Sequence, residues 1–111
     1  MKITVIIYSN DSETVWNAFR FANTSLVYDN QVKVFLLGKG VEAMTLNTLH
    51  YDIQEQVGLF RDHGGVMIGC GVCAENRKET MPFLQQELHC DMGSMQDLYG
   101  LVAEADRVVT F

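Results

Sequence analysis

The sequence predicts a three-layer α/β/α domain with a mainly parallel sheet of about five strands and a Rossmann-like topology. Short apolar runs at the start of the chain, near residue 32, near residue 66 and at the end are typical of strands covered on both faces. Segments with apolar residues at helical spacing lie between these runs. With 111 residues, 48% hydrophobic content and one proline, the chain is expected to form a single domain over residues 1–111 around one core.

The first half of the chain reads as a strand, a helix and a second strand. Residues 3–8 and 32–37 are near-continuous apolar runs. Between them, residues 9–12 (Ser-Asn-Asp-Ser) offer turn and N-cap chemistry and apolar residues recur at helical spacing, so we expect a helix that ends near Asn30. Two parallel neighbouring strands need a connection of a dozen or more residues, and this helix provides it. The Gly38-Lys39-Gly40 segment lacks the rest of a phosphate-loop fingerprint and is interpreted as a turn.

The middle of the chain is expected to contain a short helical segment, a longer helix and a third strand. One or two helical turns are expected around Val41, Met44 and Leu49, while residues 45–51 are also compatible with a mobile loop, so the shape of this segment stays open. Asp52 is the expected N-cap of a helix that the glycines at 64–65 end. Residues 66–68 follow as the third strand.

The last third of the chain contains one ambiguous segment and one clear signal. Residues 80–92 are open to two interpretations, because Pro82 suits the first turn of a helix whereas residues 87–92 suit a short fourth strand. Residues 94–97 have the pattern of a capping box ahead of a helix. Residues 107–111 are expected to form the final strand.

The charge balance and the cysteine count narrow the class of protein. Eight basic and fourteen acidic residues give a net charge of −6 and a pI near 4.8, which disfavours nucleic acid as a partner. The N-terminal apolar run has only about six residues, too few for a signal peptide or a membrane span, so we expect a cytoplasmic protein without a membrane partner. Three cysteines without a secretory signal argue against a disulfide framework.

The most informative motif is the segment MIGCGVCAENR at residues 67–77, where a strand meets an expected helix start. Cys70 and Cys73 lie three positions apart at this junction, where unpaired backbone N–H groups and the helix dipole favour a thiolate. Arg77 and Lys78 add positive charge, which Glu75 opposes. The sequence therefore predicts a reactive thiol site that needs no metal or organic cofactor.

Several segments together resemble the DsrE/DsrF-like family, especially its small homo-oligomeric YchN-type branch. These segments are residues 66–77, the Gly93-Ser94 step before a helix, the ending ADRVVTF, the opening KITVIIYSN and the later FLLGKGV. The resemblance implies a DsrEFH-like parallel α/β/α sheet and assembly into trimers or hexamers. It also implies that the protein carries sulfane sulfur as a cysteine persulfide, in a sulfur relay with a donor or acceptor protein.

The resemblance also assigns roles within the motif. Relay members have a cysteine about seven positions before an arginine, which matches Cys70 and Arg77. Cys70 is therefore interpreted as the sulfur carrier, and Cys73 as a second thiol that receives the sulfur or resolves the persulfide by an internal disulfide. Four neighbouring residues are expected to support the site: Gly69, Gly71, Arg77 and Lys78. Lys78 stands where a glycine usually follows the arginine.

Other functions remain open at this point. A CxxC motif at a helix start is also found in thioredoxin-like redox proteins, although there it follows an early strand. A zinc site can be drawn from Cys70, Cys73, His89 and Cys90. The cysteines can also be buried and unreactive, in an oligomeric binding or assembly protein.

Composition favours self-association. Six phenylalanines, four tyrosines and six methionines in so small a domain predict exposed apolar area that a homo-oligomer would bury. If the cysteines are reactive, the activity is sulfurtransferase-like, without a classical turnover reaction.

Overall fold

The computed structural model describes residues 1–111, and its sheet has five strands, all parallel, in the order β4-β3-β2-β1-β5. The strands are β1 (Lys2–Ile7), β2 (Gln31–Leu36), β3 (Val66–Cys70), β4 (Asp91–Gly93) and β5 (Arg107–Thr110). The α-helices are α1 (Ser12–Val27), α2 (Ile53–Asp62), α3 (Gly71–Glu75), α4 (Leu84–Leu88) and α5 (Met95–Glu104). A 3-10 helix spans Gly38–Thr45. The predicted α/β class with a parallel sheet is confirmed.

Both faces of the sheet carry helices. The hydroxyl of Thr4 in β1 donates a hydrogen bond to the Leu101 carbonyl oxygen, at 3.2 Å, so α5 packs on the face that Thr4 occupies. Side chains alternate along a strand, and the opposite face of β1 is therefore built by Ile3, Val5 and Ile7, all buried. On that opposite face, α1 and α2 are joined by an edge-to-face contact between fully buried phenylalanines at positions 19 and 60.

The predicted helix caps are confirmed. The Asp11 carboxylate accepts the N–H of Thr14 at 2.9 Å, and the Asp52 carboxylate accepts the N–H of Glu55 at 3.0 Å. A full capping box begins α5: the Ser94 hydroxyl accepts the N–H of the residue at position 97, and that aspartate accepts the N–H of Ser94. These bonds satisfy helix N–H groups that have no partner within their own helix.

Three boundary predictions are wrong. Helix α1 ends at Val27, and the chain reverses through Asp29, which has a left-handed φ of 63°. The first helical turns after β2 begin at position 38 instead of 41, as a 3-10 helix, and Leu49 is not in them: it is 97% exposed. Tyr8, Leu37 and Phe111, expected inside strands, each lie one residue beyond a strand end.

The ambiguous segment at residues 80–92 contains both elements that the sequence suggested. A short helix, α4, occupies Leu84–Leu88, and the three-residue strand β4 follows at Asp91–Gly93. The helix begins two residues after Pro82, whose ring is compatible with a helix start. His89, in the left-handed conformation, makes the turn between them.

None of the helices has the length and apolar character that a transmembrane span requires.

Candidate functional site

The candidate site lies at the carboxyl edge of the sheet, where β3 passes into α3. Cys70 is the last residue of β3 and the N-cap of α3, and its sulfur accepts the N–H of Cys73 at 3.4 Å. The predicted thiol at a strand-to-helix junction is therefore present, with its sulfur directed at a helix N–H group. The motif's second cysteine lies within the helix itself, one turn later.

The two thiols differ in access to solvent. Cys70 is 5% exposed and belongs to the hydrophobic core, whereas Cys73 is partly exposed and packs against that core. Neither forms a disulfide. A reagent from solvent therefore meets the Cys73 sulfur before the Cys70 sulfur.

Gly38, which the sequence marked only as part of a turn, contributes directly to the site. Its N–H donates to Cys73 Sγ at 3.2 Å, from the loop that follows the neighbouring strand β2. Gly38 has a φ of +54°, and a Cβ here would lie 2.9 Å from the Tyr8 ring, so a side chain would be strained and crowded. A glycine two residues after the end of a strand that neighbours the cysteine strand is the signal that could have found it.

Arg77 is tied to the cysteine turn and to two other loops. Its Nε donates to the Glu42 carboxylate at 2.8 Å, and its guanidinium also donates to the Cys73 carbonyl oxygen at 3.0 Å. The Asn10 amide donates to the other Glu42 oxygen at 3.3 Å. Glu42 and Asn10 come from the 3-10 helix and the loop after β1, and no sequence motif marks Glu42 as part of the site.

Lys78 does not support the thiol as predicted. Its ammonium pairs with the Glu75 carboxylate at 2.8 Å, and both side chains are well exposed. This pairing raises the pKa of Lys78, first through the hydrogen bond to Glu75 and then through the opposite charge. An exposed pair at this spacing contributes little to stability, and its charges largely cancel.

The expectation of an ionised thiol is wrong for Cys73 in the free chain. Burial raises the pKa of Cys73 above its ordinary value, and a hydrogen bond with the Cys70 side chain raises it further. The Gly38 N–H and the Arg77 charge lower it, but they do not outweigh burial. The donor groups that favour a thiolate are thus in place, while the environment keeps the resting thiol protonated.

The two supporting glycines differ in what the fold requires of them. A Cβ on Gly69 would lie 2.9 Å from Met92 Cε and 3.4 Å from a Leu88 methyl group, so this position has little room. A Cβ on Gly71 would meet its nearest neighbour, the Gly93 carbonyl oxygen, at 3.6 Å, which is ordinary contact. Only Gly69 is fixed by packing.

The alternative sites drawn from the sequence are not assembled. Nowhere in the chain do three or more His, Cys, Asp or Glu side chains form a group suited to a metal ion, so Cys70, Cys73, His89 and Cys90 do not make a zinc centre. Cys90 lies between α4 and β4, where burial raises its pKa. The CxxC motif follows the third strand of an all-parallel sheet, unlike the early strand of a thioredoxin-like protein.

Comparison with known proteins agrees with the fold. A solved structure, a conserved protein of unknown function, BT1422, from Bacteroides thetaiotaomicron, superposes with a TM-score of 0.78 at 18% identity, covering 99% of this chain and 94% of its own. This likeness concerns the fold alone. The class is thus an α/β protein with a parallel sheet.

The sequence comparisons go further. The model of the DsrE/DsrF-like family matches residues 1–111, the whole chain. The uncharacterized protein MJ0989 of Methanocaldococcus jannaschii is 32% identical over 116 residues, covering 100% of both chains. The uncharacterized protein MK0008 of Methanopyrus kandleri is 28% identical over 114 residues, covering 98% of this chain and 93% of its own. The chain belongs to the DsrE/DsrF-like family.

Proposed function

We propose that this protein is a sulfur carrier that accepts sulfane sulfur as a persulfide on Cys73, with Cys70 as the second thiol. The observation that carries the proposal concerns Cys73: the residue is partly exposed, and its sulfur accepts an N–H from Gly38, which follows the neighbouring strand β2. Membership of the DsrE/DsrF-like family fits a role of this kind. The sequence favours Cys70 as the carrier, but the burial of Cys70 favours Cys73 as the sulfur that a donor reaches first.

The transfer is a thiol exchange without net oxidation. The Cys73 thiol loses its proton to solvent, and the thiolate attacks the outer sulfur of a donor persulfide, R–S–SH. The donor's S–S bond breaks, R–S⁻ leaves and takes up a proton, and Cys73 holds the transferred sulfur as Cys–S–SH. An acceptor thiolate repeats the attack on the outer sulfur and regenerates Cys73.

Burial of Cys73 slows the attack on the donor persulfide in the free protein, and the Gly38 N–H partly offsets this effect. A protonated thiol is a poor nucleophile, so attack requires the small ionised fraction of Cys73 or a partner that lowers its pKa. Once the thiolate forms, the Gly38 N–H donates a charge-assisted hydrogen bond to it, which is stronger than the bond to the neutral thiol.

Cys70 is placed to discharge a persulfide that finds no acceptor. Its sulfur accepts the Cys73 backbone N–H at 3.4 Å. If Cys70 attacks the inner sulfur of Cys73–S–SH, the products are a Cys70–Cys73 disulfide and hydrogen sulfide, and a dithiol reductant then restores both thiols. The buried thiol thus acts as a resolving group.

Intact-protein mass spectrometry after incubation with glutathione persulfide tests the proposal. We expect a gain of about 32 Da, one sulfur atom, in the wild type and in the matched control Cys90→Ser, and no gain in Cys73→Ser. Cys70→Ser should hold the added sulfur longer than the wild type. An unloaded wild type, or a Cys73→Ser variant that loads as well as the wild type, would contradict the proposal.

A second candidate function is that of a self-assembling scaffold, and α5 favours self-association. Its buried residues, Leu98 and Leu101, face the sheet, while Met95, Tyr99 and Val102 form a separate apolar stripe at helical spacing that is exposed. We propose that a second copy of the chain covers this stripe, in a homo-oligomer such as the trimer or hexamer that the sequence led us to expect. The two candidates are compatible, since an oligomer can carry sulfur.

A further inference from the structure

We propose that Glu42 is a positioning residue of the thiol site, which holds the Arg77 guanidinium against the Cys73 turn and draws its positive charge away from the Cys73 sulfur. The inference rests on the proposed function in taking that sulfur as the reacting atom. It extends that function by naming a residue that sets how reactive the sulfur is.

The first support is the position of Glu42 in a network that joins three loops. Its carboxylate binds Asn10, from the loop after β1, with one oxygen and Arg77, from the segment after α3, with the other. Arg77 in turn donates to the Cys73 carbonyl oxygen at 3.0 Å. Glu42 itself lies four residues after Gly38, in the same 3-10 helix, so it ties the Gly38 amide to the helix that presents Cys73.

The second support is the burial of this ion pair. The side chain of Glu42 is 13% exposed and that of Arg77 is 23% exposed, in contrast to the well-exposed pair between Lys78 and Glu75 on the same segment. Charges with little solvent around them act over longer distances than exposed ones. The Glu42 carboxylate therefore weakens the effect of the Arg77 charge on the Cys73 thiol, whose backbone carbonyl oxygen accepts a hydrogen bond from the same guanidinium.

The other charged and titratable groups around Cys73 do not substitute for the Glu42–Arg77 pair. From β3, the Cys70 sulfur accepts the Cys73 backbone N–H at 3.4 Å. From the 3-10 helix, the only other charged group is Lys39, which is exposed and makes no ion pair. From the loop after β1, Tyr8 presents its ring to Gly38. Glu42 and Arg77 are thus the only buried or half-buried charges at the site.

Removing either half of the ion pair should shift the apparent pKa of Cys73, and the two shifts should be opposite. A purely structural role does not predict opposite shifts. Removing the carboxylate with Glu42→Gln leaves the Arg77 charge free to favour the Cys73 thiolate, so the apparent pKa of Cys73 falls. Removing the guanidinium with Arg77→Gln raises that pKa. If the ion pair only braced the loop, both variants would loosen it and shift Cys73 in the same direction.

The rate of iodoacetamide alkylation at Cys73, followed by peptide mapping between pH 6 and 10, measures this. At pH 7.5 we expect Glu42→Gln to react about three to ten times faster than the wild type, and Arg77→Gln to react slower by a similar factor. The control is Glu75→Gln, which also removes a carboxylate near Cys73, but an exposed one; its rate should stay within about twofold of the wild type.

Two results would overturn the inference. One is a shift of the Cys73 profile in the same direction in Glu42→Gln and Arg77→Gln; the other is an effect of Glu75→Gln as large as that of Glu42→Gln. Because alkylation does not involve sulfur transfer, these results would leave the persulfide proposal standing. Conversely, a chain that never loads sulfur can still show the opposite shifts.

Discussion

At the scale of single residues, the site combines a partly exposed thiol with groups that stabilise its ionised form and surroundings that oppose ionisation. The Cys73 sulfur accepts a hydrogen bond from the Gly38 N–H, and Arg77 donates to the Cys73 carbonyl oxygen. Burial nevertheless raises the pKa of Cys73. The motif alone identified both cysteines and Arg77. It did not identify Gly38 or Glu42, because their contribution depends on how the loop after β2 packs against α3, and neighbouring loops of a sheet leave no spacing pattern in the sequence.

The pH profile of Cys73 reactivity should reflect its burial. Because its pKa is raised, the alkylation rate of the native protein at Cys73 should still be rising above about pH 8.5, the ordinary midpoint for a free cysteine. The same measurement in urea, where Cys73 is solvated, gives the reference and should show a lower midpoint. A native midpoint below the unfolded one would show that the Gly38 and Arg77 contacts outweigh burial.

At the scale of elements, close packing at the carboxyl edge fixes the site. The 3-10 helix approaches the end of β1 so closely that a Cβ on Gly40 would lie 2.0 Å from the Ile7 carbonyl oxygen. Strands, long helices and caps were predictable from apolar period and capping residues. The 3-10 helix was predicted with the wrong start, and α4 and β4 only as alternatives for one segment, since each is held by tertiary contacts and has few residues to show a period.

Two glycine-to-alanine changes should therefore have opposite effects on stability. Gly40→Ala should lower the free energy of unfolding by roughly 2–3 kcal/mol, because the backbone of the 3-10 helix must move away from β1. Gly58→Ala, inside α2 with nothing within 4 Å of the new methyl group, should raise it by up to about 1 kcal/mol. Urea unfolding measures both values. Equal effects of the two changes would be inconsistent with this packing.

The cap of α5 makes part of the stability depend on pH. Hydrogen bonds from the Ser94 backbone and hydroxyl lower the pKa of Asp97, so its contribution is present above about pH 4 and is lost as the pH falls through the lowered value. Thermal unfolding of Asp97→Asn should show a lower Tm than the wild type at pH 6 and no difference near pH 2. Glu79→Gln, an exposed residue with no side-chain hydrogen bond, is the control; a difference for Asp97→Asn that persists at pH 2 would contradict the assignment.

At the scale of the whole molecule, one sheet face is covered by a single helix that itself carries an exposed apolar stripe. Tyr99 is 74% exposed at the centre of this stripe, and Val66 and Val108 are also exposed on the strands of the same face. Composition predicted excess apolar surface, but only the packing of α5 shows where it is. The relatives and the solved neighbour match nearly the whole chain.

Sedimentation velocity should therefore show an oligomer of this 12.5 kDa chain. Replacing both Tyr99 and Val102 with lysine should shift the protein to a monomer, because charge in the stripe opposes its burial. Val27→Lys, an exposed apolar position at the end of α1, is the control and should leave the oligomer intact. A monomeric wild type, or dissociation by Val27→Lys alone, would argue against α5 as the interface.

Locating the added atom in the loaded wild-type protein decides whether the Cys73 sulfur carries the sulfane sulfur. After brief exposure to glutathione persulfide, alkylation to trap the persulfide and fragmentation of the peptide covering residues 67–77 should place the extra sulfur on Cys73. Sulfur found on Cys70 alone or on Cys90, or on no cysteine, would contradict the account.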